Sequence, residues 1–123
     1  MKKALALLGL VVSLGTNDPV WREDKIDEAR LLIVTYNDGK EPVAQDLSKT
    51  QLYVNGKPLT GQIIEAMLSF HVKSPPLAPG AHYTYGSVMN YIVKKPGFYR
   101  LQIKGPGIES NEADLLILPK DAK

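Results

Sequence analysis

The sequence predicts an all-β protein, an antiparallel sandwich of about seven short strands. Runs of aliphatic and β-branched residues recur along the chain, and Gly, Pro and Asn turn signals separate them. After the first fifteen residues, no window keeps the 3.6-residue period of an amphipathic helix. A chain of 123 residues suffices for one domain and hardly for two. These observations favour a single sheet-on-sheet domain.

The N-terminus differs in composition from the rest of the chain. Met1-Lys2-Lys3 is basic, Ala4 to Leu14 is almost wholly apolar, and small and polar residues follow. This layout is typical of a secretory signal peptide. We therefore predict a signal peptide over residues 1–15 and the domain over residues 16–123. The apolar run is shorter than the ~20 residues of a transmembrane helix. The alternative is a first strand packed in the core.

Charge and cysteine content exclude several functions. The 15 basic side chains of the whole chain fall to 13 when Lys2 and Lys3 are removed, which equals the 13 acidic ones. Nucleic-acid binding needs a clustered basic surface and so has no electrostatic support. Without cysteine, disulfides, a thiol nucleophile and a Cys-based zinc site are excluded. We expect a secreted or periplasmic protein with no cofactor and no stable membrane anchor after cleavage.

The first strand signals after the leader are clear. Residues 29–36, ARLLIVTY, read as a strand that stops at the turn signal Asn37-Asp38-Gly39. Residues 52–59 read as a hairpin, because Asn55-Gly56 tolerates the positive φ angles of a two-residue I′ turn.

The second half of the chain continues the pattern. Within residues 63–73 we favour a strand from Met67 to Val72, and residues 74–80 form a Pro-rich loop. Residues 83–93 hold one strand or two short ones, broken near Gly86. The last strands are predicted from Phe98 to Lys104 and from Ala113 to Leu118. Asp24 to Leu32 is the best helical candidate, but its periodicity is lost at once.

The stretch KKPGFYRLQIKG, residues 94–105, resembles the immunoglobulin-like tyrosine corner. Tyr99, Leu101 and Ile103 share one face of a strand, and Tyr99 lies two residues before the core position Leu101. In that corner the phenol ring is buried and its hydroxyl bonds to nearby backbone. Leu101 stands where antibody domains place their second Cys. We predict structural roles for the following residues: Tyr99, Leu101, Gly97, Asn55 and Gly56.

A wider resemblance rests on five short motifs in order. They are Tyr36-Asn37-Asp38-Gly39, Leu52-Tyr53-Val54-Asn55-Gly56-Lys57, Leu77-Ala78-Pro79-Gly80, Pro96-Gly97-Phe98-Tyr99 and Glu109-Ser110-Asn111-Glu112. Together they resemble the bacterial cell-adhesion-related domain (CARDB) and kindred immunoglobulin-like or fibronectin-type sandwiches of secreted proteins. The resemblance covers residues 28–118. It implies an immunoglobulin-like sandwich that acts as a spacer, adhesion module or binding module.

Motifs for chemistry are weak. His71 and His82 are the two histidines of the chain, and we expect no metal site from them. No G-x-S-x-G nucleophile elbow occurs. The carboxylates at Glu23, Asp24, Asp27 and Glu28 favour a solvated face over a glycosidase pair. We therefore predict that the protein is not an enzyme.

Three binding hypotheses remain open. The leading one is a non-enzymatic binding or adhesion module that acts through contacts with an envelope or extracellular protein. The second is a small carbohydrate-binding module, whose aromatic platform would comprise Tyr83, Tyr85, Tyr91 and Trp21. The third is an enzyme inhibitor that acts through the loop at residues 74–80, with its contacts at Pro75, Pro76, Leu77 and Pro79.

Overall fold

The structure of the chain, a computed structural model, describes residues 9–69 and 75–121. In these ranges the chain is mostly β, and its strands form two sheets that enclose one core, as in an all-β sandwich. The strands are β1 (Leu10–Thr16), β2 (Val20–Arg22), β3 (Arg30–Asn37), β4 (Gln51–Val54), β5 (Lys57–Leu59), β6 (His82–Val88), β7 (Gly97–Gly105), β8 (Ile108–Glu109) and β9 (Ala113–Leu118). The helical segments are an α-helix, α1 (Gln62–Leu68), and 3-10 helices at Glu23–Glu28 and Met89–Tyr91.

The two sheets differ in size and in strand direction. Sheet A has the order β1-β3-β6, and both of its pairings are antiparallel. Sheet B has the order β2-β9-β7-β4-β5, and β8 also pairs with β7. Strand β2 runs parallel to β9, so the prediction of a wholly antiparallel sandwich is wrong at this edge.

The core lies between the inward faces of the sheets. On β3, residues 31, 33 and 35 point inward and are fully buried, while their neighbours are less buried. On β7 the same alternation buries Leu101 and Ile103 completely, as the sequence pattern predicts. Burial of such side chains supplies the main stabilising term in a chain without disulfides.

The N-terminal apolar run takes part in the sandwich. Strand β1 pairs with β3 along its whole length, and Val12 and Leu14 are 4% and 5% exposed. This arrangement agrees with the alternative prediction for the apolar run, a first strand packed in the core. The predicted signal peptide covers residues 1–15, of which residues 1–8 lie outside the described residues. Cleavage after Gly15 would remove nearly all of β1 from the fold, and it stays a prediction.

Several local predictions are confirmed. Strands β4 and β5 pair as a hairpin, and Asn55 and Gly56 have φ angles of 54° and 82°, as a I′ turn requires. Strand β9 has the predicted bounds, and β7 is longer than predicted by one residue at each end.

Helix α1 corrects the predicted strand from Met67 to Val72. Met67 lies in α1, and Val72 lies outside the described residues. The helix follows Gly61, whose φ of 132° favours glycine, and its buried residues Ile64 and Leu68 are four apart, on one helical face. That spacing is the helical signal in the segment.

Two other predictions of secondary structure are refined by the structure. Of the two alternatives for residues 83–93, it has one strand, β6, which is unbroken at Gly86 but ends at Val88, before a 3-10 helix. The helical tendency near Asp24 is a 3-10 helix that ends at Glu28, and residues 30–32 belong to β3.

Candidate functional site

The outward face of sheet A combines aliphatic and aromatic side chains with a few polar ones. In the register of its strands, alternate residues of each strand point away from the core and lie side by side. Val11 and Tyr36 are 43% and 39% exposed, and Leu32, Val34 and Val88 are half-buried. We call these outward positions the sheet A outer face: Val11, Ser13, Gly15, Arg30, Leu32, Val34, Tyr36, His82, Thr84, Gly86 and Val88. It contains no carboxylate, and contiguous apolar surface of this kind is typical of interaction sites.

Strand β6 borders this face, and in the described ranges no strand pairs with its side away from β3, which we call the open edge of β6. The Asn37 amide donates to the Ala81 carbonyl, and the Met89 amide donates to the Ala29 carbonyl, both at 3.0 Å. Backbone direction alternates along an antiparallel strand, so the odd-numbered residues of β6 bond to β3. The N–H and C=O groups of His82, Thr84 and Gly86 therefore point away from β3. Among the described residues, these outward groups have no hydrogen-bond partner.

The predicted aromatic pair lies on the inward side of β6. Tyr83 and Tyr85 are neighbours, with ring centroids 6.3 Å apart and planes tilted by 38°. The Tyr85 hydroxyl donates to the Met67 carbonyl at 3.2 Å, and its ring packs against the core. Burial, and secondarily the neighbouring Tyr83, raises the pKa of Tyr85 to about 12. Tyr85 thus has a structural role, whereas Tyr83 is 43% exposed.

The other two predicted platform residues lie elsewhere. Trp21 is in the edge strand β2 of sheet B, where its indole N–H donates to the Asp18 carbonyl at 2.6 Å. Tyr91 ends the 3-10 helix after β6 and is 61% exposed. Within residues 9–69 and 75–121, neither ring contacts Tyr83 or Tyr85, so the four aromatics form no common platform.

The Pro-rich loop is fixed to the body of the protein. Leu77 and Val43 exchange two backbone hydrogen bonds of 2.8 and 3.0 Å, and the Asn37 side chain donates to the Leu77 carbonyl. The Gln45 side chain donates to the Pro75 carbonyl at 3.2 Å. Leu77 is buried, and the exposed prolines are Pro75, Pro76 and Pro79. Ser74 lies outside the described residues. An inhibitor would therefore have to contact its enzyme through these prolines, and that role stays a prediction.

Tyr99 makes the predicted hydroxyl-to-backbone hydrogen bond, but its ring is half-buried and not buried as predicted, and an immunoglobulin-like corner stays a prediction. The Tyr99 hydroxyl donates to the Lys95 carbonyl at 2.7 Å, and the half-buried ring packs against the core. A Cβ on Gly97 would stand 3.3 Å from the Tyr99 ring, and Gly97 has a φ of 156°. Glycine at this position therefore lets the ring fold back over the turn.

The outward face of sheet B is polar and internally paired. Arg100 donates to Asp114 at 3.0 Å, and its guanidinium lies 5.7 Å from the Phe98 ring centroid. The ammonium of Lys104 lies 4.6 Å from the Tyr53 ring centroid. The hydrogen bond and charge of Asp114 raise the pKa of Arg100. This face thus satisfies its charges without a partner.

Reactive groups are dispersed. The predicted solvated carboxylates lie on the 3-10 helix Glu23–Glu28, where Asp24 pairs with Arg22 at 3.4 Å and Glu23 accepts from the Lys120 amide. In the part of the chain that the structure describes, no three His, Asp or Glu side chains group together as metal ligands. His71 lies outside that part. Within the described residues, no helix has the length and apolar character to cross a bilayer.

The outer-face residues of β3 were not singled out from the sequence, although the signal was present. Leu31 to Val34 is a continuous apolar run, a pattern typical of strands with two apolar faces. Half of the run supplies the core through Leu31 and Ile33. The other half, Leu32 and Val34, belongs to the sheet A outer face.

Comparisons with known proteins return fold similarities only. No protein-family model and no curated protein matches the sequence. The chain is similar to the Pseudomonas fluorescens alkylpurine DNA glycosylase AlkC bound to DNA containing an abasic site analog, with a TM-score of 0.49 and 15% identity. That match covers 95% of this chain, which spans 33% of the AlkC chain.

The second similarity is to the CARDB domain of a Pyrococcus furiosus protein, solved in solution by NMR. Its TM-score is 0.46 at 15% identity, and the match covers 89% of this chain and 95% of that chain. Both similarities concern the course of the backbone and say nothing of a ligand.

Proposed function

We propose that the chain is a non-enzymatic binding module of the bacterial cell envelope that binds an extended segment of a partner protein along β6. The observation that supports this most is the open edge of β6. Its outward N–H and C=O groups at His82, Thr84 and Gly86 offer a ladder to an added strand. Backbone pairing of this kind supplies affinity, and neighbouring side chains supply specificity.

The sheet A outer face extends the binding surface. A strand added to β6 would continue this face and place alternate side chains beside Thr84 and Gly86. Apolar side chains there would cover exposed surface next to Leu32 and Val34. We therefore expect a partner segment that alternates apolar and polar residues.

A proline substitution distinguishes backbone pairing along β6 from non-specific hydrophobic binding. Thr84→Pro removes an outward N–H while leaving the ladder to β3 intact, since proline is tolerated where its N–H faces solvent. We expect Thr84→Pro to fold and to lose the partner, and Thr84→Val, which keeps the N–H, to retain it.

Site-specific photo-crosslinking identifies the partner. A photoreactive residue at Val34 should capture one envelope protein through a single extended segment, and the same residue at Gln102 on sheet B should not. Binding that survives Thr84→Pro, or equal capture from Gln102, would contradict the proposal.

Export is a separate part of the proposal, supported by the N-terminal sequence pattern. Cleavage after Gly15 would remove Val11, Ser13 and Gly15 from the sheet A outer face, so the exported form would bind through the residues of β3 and β6. The intact mass of the protein recovered from a bacterial periplasmic fraction tests it directly. We expect the mass of the chain without residues 1–15. Recovery of the full-length chain from the cytoplasm would contradict export and would leave the β6 binding proposal standing.

A further inference from the structure

A concave groove lies between the 3-10 helix after β6 and the start of β7. Its volume is about 480 Å³, within the range of small-ligand sites. Two tyrosines and two lysines are among its lining residues, which are Asn90, Tyr91, Ile92, Val93, Lys94, Lys95 and Tyr99. We call it the Tyr91–Tyr99 groove. It lies outside the sheet A outer face and shares no residue with it.

The walls of the groove are held by short hydrogen bonds. The amides of Ile92 and Val93 both donate to the Met89 carbonyl, at 2.8 and 3.0 Å. On the other side, the Tyr99 hydroxyl donates to the Lys95 carbonyl at 2.7 Å. The backbone that carries the groove is therefore ordered before a ligand binds, whereas the exposed lysine side chains would lose rotamer freedom on binding.

Three side chains of the groove have groups that can contact a ligand. They are the ring of Tyr91 and the ammonium groups of Lys94 and Lys95. Tyr91 is 61% exposed, and its ring and hydroxyl have no partner among the described residues. Lys94 and Lys95 are exposed and make no ion pair there. No acidic residue lines the groove. The lining itself is therefore cationic, its flat surface is an exposed phenol ring, and the nearest acidic element is the 3-10 helix Glu23–Glu28, which packs against Met89–Tyr91.

We propose that the Tyr91–Tyr99 groove binds an acidic saccharide, a chain of sugars that carry carboxylates. The apolar face of one sugar ring would stack on Tyr91, as flat apolar surfaces do on aromatic rings. The carboxylate of that sugar or its neighbour would pair with Lys94 and Lys95, which donate charge-assisted hydrogen bonds. This site is independent of the β6 edge, so either proposal can fail without the other.

The test uses the full chain and two matched probes. Oligogalacturonate and its methyl ester present the same rings with and without charge, and calorimetric titration measures their affinities. We expect oligogalacturonate to bind at least tenfold more tightly than the ester. We also expect its affinity to fall with added salt, because the lysine contacts are exposed to screening.

Variants assign the binding to the groove. Tyr91→Ala should weaken oligogalacturonate binding at least tenfold, and the double variant Lys94→Gln, Lys95→Gln should weaken it similarly and abolish its salt dependence. Lys57→Gln, another exposed lysine, and Tyr36→Ala on the sheet A outer face are controls that should bind as the parent does. Equal affinity for the methyl ester, undetectable binding at millimolar saccharide, or full binding by Tyr91→Ala would each overturn the proposal.

Discussion

The outward faces of the two sheets differ in how their charged and aromatic side chains are paired. On sheet B, Arg100 bonds to Asp114 and lies 5.7 Å from the Phe98 ring centroid, and Lys104 lies 4.6 Å from the Tyr53 ring centroid, while Phe98 is itself 52% exposed. On sheet A, Leu32 and Val34 share the outward face with Val11, Tyr36 and the cation Arg30. Sheet B thus pairs its outward charges across neighbouring strands, whereas sheet A has aliphatic side chains in comparable positions.

The largest predicted effect is the loss of β1 from sheet A. Deleting residues 1–15 removes the buried Val12 and Leu14 and should cost about 4 kcal/mol in the free energy of unfolding, at roughly 2 kcal/mol for each buried side chain. Urea denaturation followed by circular dichroism measures it. Val11→Ala, on the outward side of the same strand, should cost under about 1 kcal/mol. An unchanged urea midpoint for the deletion would mean that β1 adds nothing to the fold.

The second prediction concerns the link between the sheets at Asn111. Its side chain accepts from the Leu14 amide at 2.7 Å and donates to the Leu14 carbonyl at 2.9 Å, so it pairs with the edge of β1 as a neighbouring strand would. Asn111→Ala should cost about 2 kcal/mol, because two backbone groups lose their partner. The neighbouring Glu112→Ala should cost under about 1 kcal/mol. Equal urea midpoints for the two variants would contradict the link.

The third prediction is a pH dependence at the open edge of sheet A. Because the folded pKa of Tyr85 is raised to about 12 from 10, its protonated form contributes stability that is complete below pH 10 and lost as pH rises towards 12. We expect the parent to lose up to about 2 kcal/mol more than Tyr85→Phe between pH 10 and 12. Urea midpoints across this range measure the difference. Parallel curves for the two proteins would show that burial does not shift this phenol.

The smallest effect is expected on sheet B. Arg100→Gln removes an ion pair whose partners are half exposed, so it should leave the urea midpoint almost unchanged. A double-mutant cycle with Asp114→Asn should give a small coupling that vanishes at about 1 M salt, where screening is strong. A coupling that persists in salt would mean that the face is less solvated than its exposure indicates.

Local signals predicted much of the fold. The Asn55-Gly56 turn and the alternation from Tyr99 to Ile103 depend on backbone conformation and side-chain direction, and both are readable from a few neighbouring residues. The hydrogen bond of the Tyr99 hydroxyl belongs to the same kind, because it reaches a carbonyl only four residues away.

Features set by distant contacts were not predictable in this way. Strand β2 has three residues, and its parallel pairing with β9 is fixed by the other end of the chain. Helix α1 is a short segment whose apolar residues also fit a strand, and the packing of Ile64 and Leu68 decides in favour of the helix. For the candidate site, the strand was predicted but its open edge was not, because sheet order decides which strand lacks a neighbour.

The contacts of β1 and β2 with the C-terminal part of the chain determine when this protein can complete its fold during synthesis. Asn111 lies 97 positions beyond Leu14, and β2 has its partner in Ala113–Leu118. Until the ribosome has made that final stretch, β2 lacks its strand partner, and β1 can pair with β3 but lacks the Asn111 side chain on its other edge. The N-terminal apolar segment therefore stays incompletely packed for most of translation.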